Sequence, residues 1–488
     1  MLPHQVFPSV TDAASLRDYG KQLRVVCPRR SHAELSLPSK RDPLAIIDAT
    51  HVGRVQALIG VRTFRMSQSA FAYYRATADV MAADLGAGPR TDIRLVICGD
   101  AHISNFGLYA SPERRLLFDL NDFDEAGEGP WEWDIKRMCV SIVLVLREKG
   151  CSERVQREAV KAAVLAYQKA LAGFMEKSAL ERFYASVDAA WLLKVTRDAN
   201  LARSMKKARR NTSQRVLAKI AVRHEEKHCQ IVDDPPLLMH DRSLNADDIE
   251  QMFEQYLGTL AADRALLMSQ YRVLDIARRV VGVGSVGTRC GIALLQDPGG
   301  HTLFMQYKQA NPSVLTRWGG MAESGAQAGS PVALSLPATA RQSVGRRRAA
   351  PAKAAADGQG HNGRRVVARQ QILQAVSDPL LGWNVGADDG HDYYWRQFRD
   401  MKGSIDLPFL SPEQVARYGE LCAQLLARAH AQSPTAVAVV GYLGTGGNRR
   451  FAQAVADWSS AYADVIEQDY QAFMAALASG RYPVASEG

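Results

Sequence analysis

What this sequence lacks narrows its function first. Its seven cysteines, at 27, 98, 139, 151, 229, 290 and 422, form no Cys-x-x-Cys pair, so neither a zinc site nor a disulfide framework is indicated. No stretch approaches the 18 or so continuous apolar residues of a membrane helix; Met138 to Leu146 is the longest run of interest. The opening Met-Leu-Pro-His-Gln-Val-Phe-Pro lacks the basic and apolar regions of a secretory signal. A reducing cytoplasm and no membrane attachment are expected. Between Glu323 and Glu413 there is no glutamate at all. The formal charge of +9 invites thoughts of nucleic acid, but its distribution argues otherwise. Segment 203–227 holds nine Lys/Arg against Glu225 and Glu226, and segment 321–365 seven against Glu323 and Asp357. Together they exceed the whole surplus, so the remainder is slightly acidic. Phosphate contacts from such stretches give only non-specific affinity, and a nucleic-acid partner is not expected.

The most informative residues are Cys98-Gly-Asp-Ala-His-Ile-Ser-Asn105, followed by Leu117-Phe-Asp-Leu-Asn-Asp-Phe-Asp-Glu-Ala126. Arg94-Leu-Val-Ile-Cys98 reads as a strand delivering a polar loop, and a hairpin from Phe106 to Asp119 delivers Asp122-Phe-Asp124. Asp100 and Asn105 stand five apart, the spacing at which a phosphoryl-transfer loop places a base and a carboxamide metal ligand. Asp122 adds a second hard oxygen of the kind that suits magnesium. His102 lies between Asp100 and Asn105 and joins the catalytic set, orienting the loop by hydrogen bonding. Asp124 and Glu125 are further candidates for metal or a cationic substrate, against a plain surface turn.

Gly99-Asp-x-His-x-x-Asn105, Asp122-Phe-Asp-Glu-Ala126 and Gly129-Pro-Trp-Glu-Trp-Asp134 together resemble the catalytic core of aminoglycoside phosphotransferases and related small-molecule kinases. The resemblance implies Asp100 as catalytic base, Asn105 and Asp122 as magnesium ligands, and Asp134 as a structural carboxylate holding the loop. More of the chain, roughly residues 40 to 480, resembles a bacterial family of uncharacterised proteins, domain of unknown function 2252. That likeness is carried by Gly99–Gly107, Asn121–Glu125, Trp133–Arg137, Gly282–Arg289 and Arg399–Ser404, and it brings no established activity.

Further along, Ile276 to Val283 reads as a strand ending in Gly282-Val-Gly-Ser-Val-Gly287. A dinucleotide-binding loop must open into a helix, yet Ile292-Ala-Leu-Leu is β-like, Asp297-Pro-Gly-Gly300 is a turn, and Thr302 to Lys308 is a second strand. Strand, glycine loop, strand, turn, strand with an interior lysine is the arrangement of a kinase amino-terminal lobe. Gly282, Gly284, Ser285 and Gly287 then cradle phosphates, and Lys308 reaches the α/β oxygens. A kinase lysine is normally fixed by a glutamate on the next helix. None is available here, leaving Gln370, Gln371, Gln374 or an aspartate from elsewhere.

The resulting expectation is an α+β, kinase-like two-lobed fold in circularly permuted order. Residues 1–40 form an irregular lead-in, and 41–275 a helical catalytic lobe. Residues 276–318 and 364–410 form the nucleotide-binding β lobe, 319–363 a low-complexity disordered insert, and 411–488 terminal helices packing on the catalytic lobe. Within these, helices are expected over 66–85, 138–147, 153–180, 182–230, 245–271, 365–376, 413–430, 449–457 and 459–478. The expected function is ATP- and magnesium-dependent phosphotransfer to an unidentified hydroxyl, on a small molecule or protein. The alternative is a catalytically silent, nucleotide-binding pseudokinase regulating a partner, which the missing glutamate favours. His224-Glu-Glu-Lys-His228 matches the spacing of a zinc-protease helix, but its basic surroundings oppose a cation site. So polar and Gly/Ala/Pro-rich an insert buries little area. Deleting 321–363 should therefore leave the melting temperature nearly unchanged, and limited proteolysis should cut first near Arg346 to Lys353.

Overall fold

In the structure, a computed structural model, the Cys98–Asn105 and Asp122–Ala126 segments sit among four strands followed by one buried helix. The described residues are 12–196, 198–211, 213–223, 229–240, 246–280, 282–321, 360–386, 390–398 and 401–485. The His224–His228 pair, Arg399, Asp400 and residues 322–359 of the insert lie outside them. β1 (Arg94–Ile97) and β2 (Phe106–Ala110) flank the loop that carries Asp100 and Asn105. β2 and β3 (Leu116–Leu120) form the expected hairpin, with Phe106 opposite Leu120. β4 (Gly127–Pro130) returns antiparallel to β1. The helix Trp131–Glu148 follows, and every residue from Trp131 to Leu146 is buried. Its stretch from Met138 to Leu146 is apolar apart from Ser141, whereas its first turns bury Glu132, Asp134, Lys136 and Arg137, charges that need partners there. It is enclosed by the helices Glu153–Met175, Pro412–His430 and Arg449–Ala478, with the Trp131 and Tyr167 rings stacked at 5.9 Å. No helix among the described residues is long and apolar enough to cross a membrane.

β5 (Ala221–Arg223) and β6 (Cys229–Ile231) make a small hairpin. A six-stranded antiparallel sheet collects β7 (Leu238–His240), β8 (Arg272–Arg279), β9 (Cys290–Gln296), β10 (Thr302–Gln309), β11 (Gly382–Val385) and β12 (Asp392–Gln397). Its order is β11-β12-β10-β9-β8-β7. The glycine loop joins β8 to β9, and Lys308 stands on β10 between β9 and β12. One face of the sheet packs on the helix Ala246–Leu257, whose Tyr256 ring lies 5.2 Å from Trp395. The sheet therefore recruits residues from before 276. The helix Asn362–Leu373 bridges the sheet and the helical core, where its Val366, Val367 and Leu373 are buried. β13 (Gly403–Ser404) adds a third strand beside β2.

Several helical expectations are corrected, mostly for reasons of capping. The 66–85 pattern is broken into Ile59–Met66, Ala70–Ala76 and Ala78–Ala87, because Ser69 Oγ accepts from Ala72 N at 3.1 Å and starts a new helix. The 182–230 stretch is four short helices, Ala179–Tyr184, Ala189–Thr196, Ala199–Arg209 and Ser213–Ile220, before β5. Asp188 and Asp198 each accept two backbone N–H groups and restart the chain. The terminal pair merges into one helix, Arg449–Ala478. Residues 319–321 of the insert pack rather than float: Gly319 lies against the Trp133 ring and Met321 is buried. At the other end Asn362 N donates to Asp392 at 2.7 Å. The ends of the expected insert, 319–321 and 360–363, are therefore part of the packed structure.

The lead-in is not irregular throughout. Its prolines all fall outside Ala13–Val26, a helix capped by Asp12, which accepts from Ala14 N and Ser15 N. That helix lies on Ala436–Leu443 with glycines at the crossing. A Cβ at Gly20 would overlap the Ala438 carbonyl oxygen, and one at Gly441 the Arg17 carbonyl oxygen. Alanine at Gly20 gains about 1 kcal/mol of helix propensity. Forcing two backbones apart costs roughly 1–3 kcal/mol or more, so the clash wins. Gly20→Ala should lower the melting temperature and loosen amide protection in both helices, measured by hydrogen exchange.

Candidate functional site

Asp134, on the first turn of Trp131–Glu148, fixes the loop after β1. Its two carboxylate oxygens accept from Cys98 N at 2.7 Å and Gly99 N at 2.9 Å. His430 Nε2 lies 3.2 Å from the same carboxylate, and its Nδ1 meets the Tyr167 hydroxyl at 2.8 Å. Gly99 has φ +77°, and a Cβ there would overlap the Glu125 carbonyl oxygen. Only glycine fits this position without strain. Beyond it, Ile103 N donates to Ser141 Oγ at 3.0 Å and the Tyr418 hydroxyl donates to the Ile103 carbonyl at 3.0 Å. The loop is held from both sides before any ligand arrives.

Asp100 and Asn105 occupy opposite ends of this loop. Asn105 Nδ2 donates to the Asp100 carbonyl at 2.6 Å, so the carboxamide oxygen is the end turned away from the loop. Asp100 Oδ1 accepts from Arg137 Nε at 2.7 Å. Burial raises Asp100 above the ordinary carboxylate range, although Arg137 pulls it back. Arg137 is itself held over the Tyr74 ring at 3.8 Å and donates to the Tyr74 carbonyl at 2.8 Å. His102 Nε2 stands 3.7 Å from Asp100 Oδ2. Burial, with Arg75 and Arg137 nearby, keeps this imidazole neutral, and its Nδ1 is buried without a hydrogen bond among the described residues.

The Asn121–Ala126 segment between β3 and β4 is pinned by the helix Asn362–Leu373. Arg365 donates to the Ala126 carbonyl at 2.6 Å and the Asp124 carbonyl at 2.9 Å. Asp122 sits among Lys308, Arg396 and Lys402, which outweigh its burial and hold it below the ordinary range. Lys402 feels burial and Arg396 most, and falls to about 7. Lys308 Nζ bonds Asp124 Oδ2 and donates to Ser285 Oγ at 3.0 Å, while the Tyr394 hydroxyl donates to Asp124 Oδ1 at 2.7 Å. Burial alone would lower Lys308, but Asp124 and Tyr394 raise it above its usual value. The lysine partner is thus Asp124, two residues beyond Asp122. The glutamines are engaged elsewhere: Gln370 donates to Gln374, and Gln374 to the Leu120 carbonyl.

Asp100, His102, Asn105, Asp122 and Asp124 line one cleft together with Gly282, Gly284 and Ser285. Lys308 reaches it through Asp124 and Ser285. Gly287 does not join them. Its carbonyl accepts from Val55 N at 2.7 Å, and its α-carbon faces the Arg54 side chain. Arg54 Nη1 also donates to the Val286 carbonyl at 2.5 Å, tying the glycine loop down to the helical body. Arg54, Arg75 and Arg317 line the same cleft, and Arg75 Nε is buried without a hydrogen bond among the described residues. Sequence reasoning gave no role to Arg137 or Arg75. Arg137 was findable as the residue one turn beyond Asp134 on the same helix face; Arg75 carried no local signal.

Among the described residues no group of three His, Cys, Asp or Glu stands ready to hold a metal. Asn105 and Asp122 offer two hard oxygen donors in the cleft, a set that fits magnesium, which completes its shell with waters and phosphates.

The family model for "Uncharacterized protein conserved in bacteria (DUF2252)" matches residues 54–336 and 318–476. The chain belongs to this family. No curated protein and no solved structure matches it. The matched spans take in every cleft residue from Arg75 to Ser285, and Lys308 with its neighbours.

Glu125 offers a direct check on the cleft. Burial, with Asp79 beside it, raises its carboxyl to about 8, and the group accepts from Val314 N at 2.8 Å. Folding therefore takes up a proton here between the ordinary 4.5 and about 8. The contribution to stability is full below 4.5 and is lost as pH rises through 8. Glu125→Gln should flatten the fall in melting temperature from acidic to mildly alkaline pH; an unchanged slope would contradict the buried, protonated carboxyl.

Proposed function

We propose that this chain is an ATP- and magnesium-dependent phosphotransferase acting on a hydroxyl-bearing acceptor, on a kinase-like fold whose parts run in permuted order. The observation that carries the reading is convergence across the sequence. Asp100, Asn105 and Asp122 share a cleft with a glycine loop some 180 residues away, and Lys308 bonds both Asp124 and Ser285. Two unrelated turns have no physical reason to meet around one buried lysine. The antiparallel succession β8, glycine loop, β9, β10 with Lys308, bridging helix, β11 and β12 supports the same reading.

In this scheme the backbone of Gly282–Ser285 and the Arg75 guanidinium face the phosphates, where fixed dipoles and charges stabilise the transferring group. Asp100, oriented by Arg137, accepts the proton of the acceptor hydroxyl as that oxygen bonds the γ-phosphorus and the bond to the ADP oxygen breaks. Its raised basicity suits that role. Asn105 and Asp122 would hold magnesium, which neutralises charge on the β and γ oxygens when bound. The neutral His102 keeps Asp100 within a tightly packed loop.

ATP or ADP with magnesium at millimolar concentration should raise the melting temperature, since ligand at a hundred times its Kd stabilises by about 2.7 kcal/mol. No shift with either nucleotide would sink the reading. Asp100→Asn should cut transfer about 10²–10⁴-fold with nearly unchanged ATP affinity. Asp122→Asn should weaken magnesium-ATP binding as well, and Lys308→Ala should lower turnover and affinity together. Equal and negligible turnover in wild type and Asp100→Asn, with nucleotide still bound, would favour the silent, partner-regulating alternative.

A further inference from the structure

On the far side of Asn121–Asp122 from the glycine loop lies a second cavity. Asp122 faces the first cleft, whereas Asn121 lines the second. Among the described residues its walls carry Arg114, Arg279, Arg396 and Lys402 against a single carboxylate, Asp378. Asp378 is already an acceptor three times over, from Leu380 N at 2.8 Å, Gln397 N at 2.6 Å and Gln397 Nε2 at 3.1 Å. The cavity walls thus carry more cationic than anionic side chains, and the nearest carboxylate beyond them is Asp122 of the neighbouring cleft, which Arg396 and Lys402 also face.

Two of these cations line it with donors to spare. Arg396 spends Nε on the Gln306 side chain at 2.9 Å, and its two Nη groups make no hydrogen bond among the described residues. Lys402 Nζ makes one long contact, to the Asn121 carbonyl at 3.3 Å. Gln370 and Gln374, both buried, close the opposite wall and are fixed by bonding to each other and to Leu120. A planar guanidinium with donors to spare beside a lysine is the arrangement that captures an oxyanion.

We propose that this cavity is a second binding site, for a small molecule bearing an oxyanion head (phosphate or carboxylate), gripped by Arg396 and Lys402. The fixed glutamine wall suits the neutral, hydrogen-bonding remainder of such a ligand. The inference does not depend on phosphotransfer. It requires only that the cavity be occupied separately from the glycine-loop cleft.

The test uses the full chain, with inorganic phosphate and succinate as probes titrated calorimetrically against chloride at matched ionic strength. At least one probe should bind; phosphate alone identifies a phosphate ester as the ligand class, succinate alone a carboxylate. Arg396→Gln should weaken binding about tenfold or more, while Ser285→Ala in the other cleft should leave it unchanged. Saturating magnesium-ADP should not displace the probe. If neither probe binds, or if Ser285→Ala or ADP abolishes binding, the second site is refuted. Should Arg396→Gln fail to fold, phenylglyoxal labelling of wild type followed by mass spectrometry serves instead. The bound probe should protect Arg396, and labelling at the same rate with and without it would overturn the proposal. A failed nucleotide titration alongside a successful probe titration would count against phosphotransfer alone.

Discussion

The site depends on one buried carboxylate. Asp134 accepts both backbone N–H groups at the end of β1, and it is reached from the other side by His430 at the end of Pro412–His430. Two segments more than 330 positions apart, at Cys98–Gly99 and His430, are thus fastened to the same carboxylate. A carboxylate left buried without these donors costs several kcal/mol, so the loop geometry is enforced by the penalty for leaving it. The same helix then supplies Arg137, one turn on, to meet Asp100. One rigid element thus positions the loop and supplies the cation that offsets the burial of Asp100.

A second consequence concerns how the sheet is joined to the helical body. The lysine of β10 has no glutamate partner on the following helix, and the aspartate that replaces it comes from the other half of the molecule. In place of an ion pair within one layer, the structure has one across the cleft. The helix Asn362–Leu373 contributes differently, through Arg365 on the Asp124 and Ala126 carbonyls and Arg369 on Glu128 at 3.2 Å. It orders the carboxylate that meets the lysine and does not meet the lysine itself.

Much of this was legible from pattern. β-like runs on either side of the Asp297–Gly300 turn identified β9 and β10, and the Asp100, Asn105 and Asp122 spacings identified residues that do share a cleft. Local signals inside a helical period were harder to weigh: Ser69, Asp188 and Asp198 each start a helix within a stretch that is apolar at the right intervals throughout. The helix Ala13–Val26 was hidden by prolines on either side. Contacts such as Arg137 with Asp100, or Lys308 with Asp124, depend on distances between elements that no local window contains. An aspartate from elsewhere was one of the options for Lys308; which aspartate was not readable.

The Lys308–Asp124 pair also means that the protein carries its own competing anion. Any phosphate that approaches the ammonium finds it already satisfied by a carboxylate whose local concentration is fixed by the fold and cannot be diluted. Under the proposed function, anion binding there would be an exchange, with the apparent affinity reduced by the fraction of molecules in which Lys308 is released. The Tyr394 hydroxyl, bonded to the other Asp124 oxygen, deepens that bias by stabilising the carboxylate in place. A cation that draws Asp124 away would free the lysine for the anion it accompanies, so metal and phosphate would arrive with positive cooperativity although neither touches the other's protein ligand.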